Sequence, residues 1–142
     1  MTDLDKSIRL TNEIICKNID KIQEEGRELC YQNVLAHMRH FVEYIIQKVD
    51  NKPETSDPSS YKQKQQAIKN LKGKGQFRFL VNFHDMLQQS VSHYSVDENS
   101  AERLMWKYCH RLFEIKNFLK KEFDLDVLQN LGGLLPAETA QT

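Results

Sequence analysis

The chain has 142 residues, 20 lysines and arginines balanced by 20 aspartates and glutamates, and a hydrophobic fraction of 39%. That length suits one domain with a single small core, and the apolar content lies far above that of a disordered chain. No stretch reaches the roughly 20 apolar residues of a membrane span, and the first residues carry neither the basic nor the apolar region of a signal peptide. Three cysteines without C-x-x-C spacing argue against a disulfide framework and against zinc. The expectation is a cytoplasmic domain with reduced thiols, needing no metal and no cofactor.

Helical periodicity dominates the order of residues. Leu4, Ile8, Thr11, Ile15, Ile19 and Ile22 recur every three or four positions, and Gly26 ends this first stripe. A second stripe, Tyr31, Val34, Leu35, Met38, Phe41, Val42, Ile45, Ile46 and Val49, runs up to Asn51, Lys52 and Pro53. Residues 50–60, rich in proline and small polar side chains, read as a loop, with Ser59 or Ser60 placed to cap the next helix. Residues 61–71 predict a short, weakly amphipathic helix closed by Gly73 and Gly75. Phe77, Phe79, Leu80, Phe83, Met86, Leu87 and Val91 define a fourth helix. The fifth carries Leu104, Met105, Tyr108, Leu112, Ile115 and Leu119, capped by Asp97, Asn99 or Ser100. Residues 124–131 add a last short turn. The predicted fold is all-α: an antiparallel bundle of four long helices plus one short helix over residues 1–135, then a frayed tail, 136–142.

The neutral total conceals an uneven distribution of charge. Lys62, Lys64, Lys69, Lys72, Lys74 and Arg78 fall between positions 61 and 78 with no acidic residue among them. Such a run suits a phosphate backbone, and equally suits a sparsely apolar helix kept soluble by a charged face.

On the second helix, the face opposite Met38, Val42 and Ile45 carries His37, Arg39, His40, Glu43 and Tyr44. Exposed helix faces favour Glu, Lys, Gln and Ala instead. Here a guanidinium able to hold a phosphate stands next to an imidazole able to move a proton near neutral pH. The alternative is an i,i+4 ion pair between Arg39 and Glu43 beside two solvated histidines.

The segment NVLAHMRHFVEYI, residues 33–45, together with the helical pattern around it, resembles HEPN domains, the higher-eukaryote and prokaryote nucleotide-binding superfamily. The HEPN motif is an arginine followed at once by Asn, Asp or His, with a histidine a short distance further on. The pattern from 77 to 123 is similar to defence-associated members. The resemblance implies a homodimer in which two motif helices face each other. It also implies metal-independent endoribonuclease chemistry, the arginine steadying the scissile phosphate and the histidine helping to activate the ribose 2′-OH.

Arg39 and His40 match the first two motif positions, but Tyr44 stands where the histidine belongs. Tyrosine, with a reference pKa near ~10, is a poor base at neutral pH and still a hydrogen-bond donor. Either His40 takes over proton transfer, or the domain binds without cutting. The candidate catalytic residues are therefore Arg39, His40 and Tyr44, with the six cations of residues 61–78 as the nucleic-acid contacts.

Two other arginine–histidine pairs, Arg78 with His84 and Arg103 with His110, fit the bare spacing but lack the polar residue after the arginine. His84 reads as a satisfied, partly buried imidazole. His93, at a helix end where the dipole favours a cation, joins Arg103 and His110 as a second-choice site. Trp106 reads as a core or interface anchor. Two functions are compatible with these residues. One is an RNA-directed, HEPN-like module of a prokaryotic defence or toxin system, dimeric and ribonucleolytic if active. The other is a non-catalytic dimerisation or adaptor module for a partner protein from the same operon.

Overall fold

The computed structural model describes residues 2–25, 30–50, 60–92, 98–129 and 131. The chain forms α1 (Asp3–Glu25), α2 (Cys30–Val49), α3 (Tyr61–Lys72), α4 (Arg78–Ser92) and α5 (Glu98–Phe123), with a 3-10 turn, Gly75–Phe77, leading into α4. The described residues contain no strand, so the fold is all-α. No described helix is long and apolar enough to cross a membrane. The expected tail, 136–142, lies outside the described residues.

Local chemistry accounts for several helix ends. The Asp5 backbone N–H donates to Thr2 Oγ1 at 3.1 Å, a side-chain cap on α1. Asp3 and Asp5 add negative charge at the positive end of that helix. Ser60 does occupy the N-cap of α3, yet its hydroxyl makes no capping hydrogen bond. Helix α5 begins at Glu98, so Asn99 and Ser100 lie inside it rather than capping it; Asp97 is outside the described residues.

The core centres on α2. Val34, Leu35, Met38, Phe41, Val42, Ile45 and Ile46 are all buried, a band too wide for a single partner helix. Accordingly α2 packs against α1, α3, α4 and α5, whereas no other described helix contacts all the rest so substantially. Ile8, Ile15 and Ile19 of α1, Leu71 of α3, Leu80, Phe83 and Leu87 of α4, and Leu112, Ile115 and Leu119 of α5 close around it.

After α5 the expected last short turn is present, with residue 129 in a turn and the Leu131 N–H donating to the Leu128 carbonyl at 3.1 Å. Asp124 and Leu128 adopt left-handed backbone conformations, with φ of 53° and 56°, each costing about 1 kcal/mol. What holds them is specific. The Leu128 N–H donates to Asn12 Oδ1 at 2.7 Å, the Asn12 amide donates to Gln129 Oε1 at 3.3 Å, and Lys116 Nζ donates to the Leu128 carbonyl at 3.2 Å. Val127, Leu128 and Leu131 are buried in return. One asparagine of α1 thereby substitutes for a helix's own hydrogen bonds.

The central place of α2 sets a stability expectation. Phe41, fully buried, truncated to alanine should cost about 3–5 kcal/mol. Leu10→Ala, at a position 59% exposed, should stay within about 0.5 kcal/mol. Urea unfolding followed by helical circular dichroism measures both.

Candidate functional site

The outward face of α2 is drawn into a cluster by its neighbours. Glu43 sits where α3 and α4 converge on α2, its side chain only 12% exposed. An ionised carboxylate only accepts hydrogen bonds, so the His84 Nε2–H of α4 donates to Glu43 Oε2, at 3.0 Å. Lys64 Nζ of α3 lies 3.2 Å from Oε1, and His40 Nδ1 lies 3.4 Å from the same oxygen. Neither meets good hydrogen-bond geometry, so Oε1 is held mainly by charge. Burial by itself raises the Glu43 carboxyl; the contacts of His40 and His84 and the charge of Lys64 outweigh it, holding the group well below the usual carboxylate range.

The surroundings extend this cluster. His84 is buried, and its Nδ1 lies 3.4 Å from Asp85 Oδ1. The His37 ring stacks obliquely near His40, centroids 6.5 Å apart. Burial first, and the neighbouring His40 second, push the His37 imidazole below its ordinary value. Lys64 Nζ also stands over the Tyr44 ring, 5.6 Å from its centroid, a cation–π contact that fixes the phenol.

Arg39 does not make the i,i+4 pair with Glu43. Its Nε is buried and has no hydrogen-bond partner among the described residues. A buried guanidinium N–H without an acceptor is costly and uncommon. His40, one residue on, is 36% exposed. With Nδ1 turned to the carboxylate, Nε2 is the ring nitrogen left for proton transfer. Arg39, half-buried, and His40 thus set a cation and a part-exposed imidazole side by side, the imidazole backed by an ionised carboxylate. Tyr44, their expected companion, is half-buried against Lys64 and bonds to neither.

The lysine run divides by face. At about 100° per residue, Lys64 points away from Lys62 and Lys69, and its Nζ is engaged with Glu43. Lys62, Lys69 and Lys72 are exposed and line a groove of about 590 Å³ between α3 and α4, with His84, Asp85 and Gln88 on the other side. Lys74 and Arg78 are exposed at the turn between the two helices.

Arg103 and His110 are exposed on α5, and no hydrogen bond or ion pair joins them to another described residue. His93 and the Trp106 side chain lie outside the described residues. Cys109 is buried, which pushes its thiol up to about 12 and leaves it inert. Among the described residues no group of three His, Cys, Asp or Glu side chains is arranged to hold a metal ion. Set against protein-family models, curated proteins and solved structures, the chain matches none.

Sequence reasoning placed Glu43 on the polar face but not at its centre. Its partners come from positions 21 and 41 residues away, on two other helices. The one available signal was the oddity of a histidine beside the core stripe of α4, which requires an acceptor once buried.

Glu43 should therefore be a stability residue as well as a site residue. Its carboxyl is depressed in the folded state, so the stabilisation is full above the unfolded value of 4.5 and is lost as pH falls below it. Glu43→Gln should cost about 3 kcal/mol at neutral pH, a gap that narrows as both proteins are acidified. Urea midpoints collected from pH 7 downward read this out; a constant gap contradicts it.

Proposed function

We propose that this chain is an RNA-directed, HEPN-like module of a prokaryotic defence or toxin system. In this reading the helices form an antiparallel HEPN-type bundle, and two copies pair so that their α2 faces meet. The observation that carries it is the Arg39 guanidinium standing one position before a part-exposed His40 whose Nδ1 faces Glu43 at 3.4 Å. The planar fork of a guanidinium suits a phosphate.

The chemistry rests on these groups. Arg39 steadies the phosphate and the charge that builds on it. His40 Nε2 takes the proton of the ribose 2′-OH, which attacks the adjacent phosphorus; the P–O5′ bond breaks and the leaving 5′-oxygen takes the proton back from the imidazolium. The products are a 2′,3′-cyclic phosphate and a 5′-hydroxyl end, with no metal in the step. Glu43 orients the imidazole and stabilises it while it carries the proton, as a carboxylate does in other acid–base pairs.

One observation favours a binding-only version of the same module. Tyr44 occupies the motif histidine position and is packed beneath Lys64, and a phenol is a poor general base at neutral pH. In that version a partner protein supplies the chemistry and this chain dimerises and anchors it.

Incubation of a labelled structured RNA with purified protein in EDTA separates the two. The catalytic version predicts cleavage leaving cyclic phosphate ends, reduced about 100-fold or more in both Arg39→Ala and His40→Ala. The binding version predicts RNA retention without cleavage, with cutting appearing in Tyr44→His. Neither binding nor cleavage by any of these proteins overturns the RNA-directed reading.

A further inference from the structure

The groove between α3 and α4 has features that the α2 site does not use. Lys62, Lys69 and Lys72 line it, and among the described residues none of them has an ion-pair partner, in contrast to Lys64. Lys62 and Lys69 stand about 10 Å apart along the helix axis. At the same wall is Tyr61, which is 74% exposed, the most exposed large hydrophobic side chain described. Its hydroxyl accepts a 2.6 Å hydrogen bond from the Gln65 amide, which holds the phenol in place. An exposed aromatic ring beside lysines offers a face on which a planar base can stack.

We propose that the α3–α4 groove is a binding site for single-stranded RNA, with a base stacked on Tyr61 and consecutive phosphates on Lys62, Lys69 and Lys72. Aromatic platforms flanked by lysines are how strands without secondary structure are held, because every base offers a π-face and every linkage a charge. A duplex keeps its bases stacked inside, so it satisfies the lysines and leaves the tyrosine with nothing to cover it. The far wall places the groove next to the α2 site: His84, whose Nε2–H donates to Glu43, lines it. The inference rests on the RNA-directed reading of the α2 face and adds to it where the strand lies and that it is unpaired.

The test uses the full chain and an RNA of about 12 nucleotides without secondary structure, substituted with 4-thiouridine. After photocrosslinking, the attached peptide is identified by mass spectrometry, and affinity is measured across salt concentrations. The expected crosslink falls on the peptide containing Tyr61, and it persists in Arg39→Ala. Tyr61→Ala should weaken binding roughly 10-fold. Alanine at Lys62, Lys69 and Lys72 together should reduce the slope of log affinity against log salt by about 2. All four side chains are exposed, and circular dichroism verifies that the variants fold. Binding undiminished in both variants, with crosslinks elsewhere, overturns the groove and leaves the RNA-directed reading standing. Tighter binding of a duplex of the same sequence overturns the single-strand assignment. No binding of any RNA by the wild-type chain overturns both.

Discussion

A carboxylate taken out of water must be given positive or hydrogen-bonding partners, and Glu43 obtains them from three separate helices. His40 comes from its own helix, Lys64 from α3 and His84 from α4. These contacts fix how α3 and α4 sit on α2 and, at the same time, turn His40 so that one ring nitrogen faces the carboxylate. Removing Glu43 leaves a buried imidazole and a nearly buried ammonium without their acceptor. Stability and the geometry of the polar face therefore depend on the same group.

The division of labour around α2 stems from that constraint. Its apolar band, from Val34 to Ile46, is wrapped by the other four helices. The polar residues occupy what remains and are gathered at the α3–α4 side. Lys64 illustrates how position outweighs residue type. It belongs to the same lysine run as Lys62 and Lys69, but its place on the inner side of α3 commits it to Glu43 and to the Tyr44 ring. Lys62, Lys69 and Lys72 line the groove instead, so a run that looks uniform in sequence is divided between two surroundings.

Helix existence was legible because each helix buries one face, and burial imposes a period of three to four residues. The stripes on α1, α2, α4 and α5 locate most of the buried apolar side chains, though not Val81, Cys109 or those of α3 and of the segment after α5. The ends were less legible. Ser60 stands at a cap without capping, and two of the three candidate caps of α5, Asn99 and Ser100, fall inside the helix. The left-handed backbone at Leu128 escaped a sequence reading because its N–H is bound by Asn12, 116 residues earlier. The polar face of α2 was visible as an unusual set of residue types, yet its pairing was not. The i,i+4 rule suggested Arg39 with Glu43, whereas tertiary partners from α3 and α4 claim the carboxylate and leave the Arg39 Nε without an acceptor. Local rules describe isolated helices; a central helix answers to its neighbours.

Everything proposed for the α2 face turns on Arg39 and His40, backed by Glu43, receiving an RNA phosphate. An NMR titration reads this at the atoms concerned, using protein labelled with 15N at histidine and arginine side chains and a short non-cleavable RNA carrying 2′-methoxy groups. The Arg39 Nε–H and the His40 ring nitrogens should show saturable shifts, larger than those of the exposed Arg103 and His110 on α5. Shifts confined to Arg103 and His110, or none at saturating RNA, would contradict it.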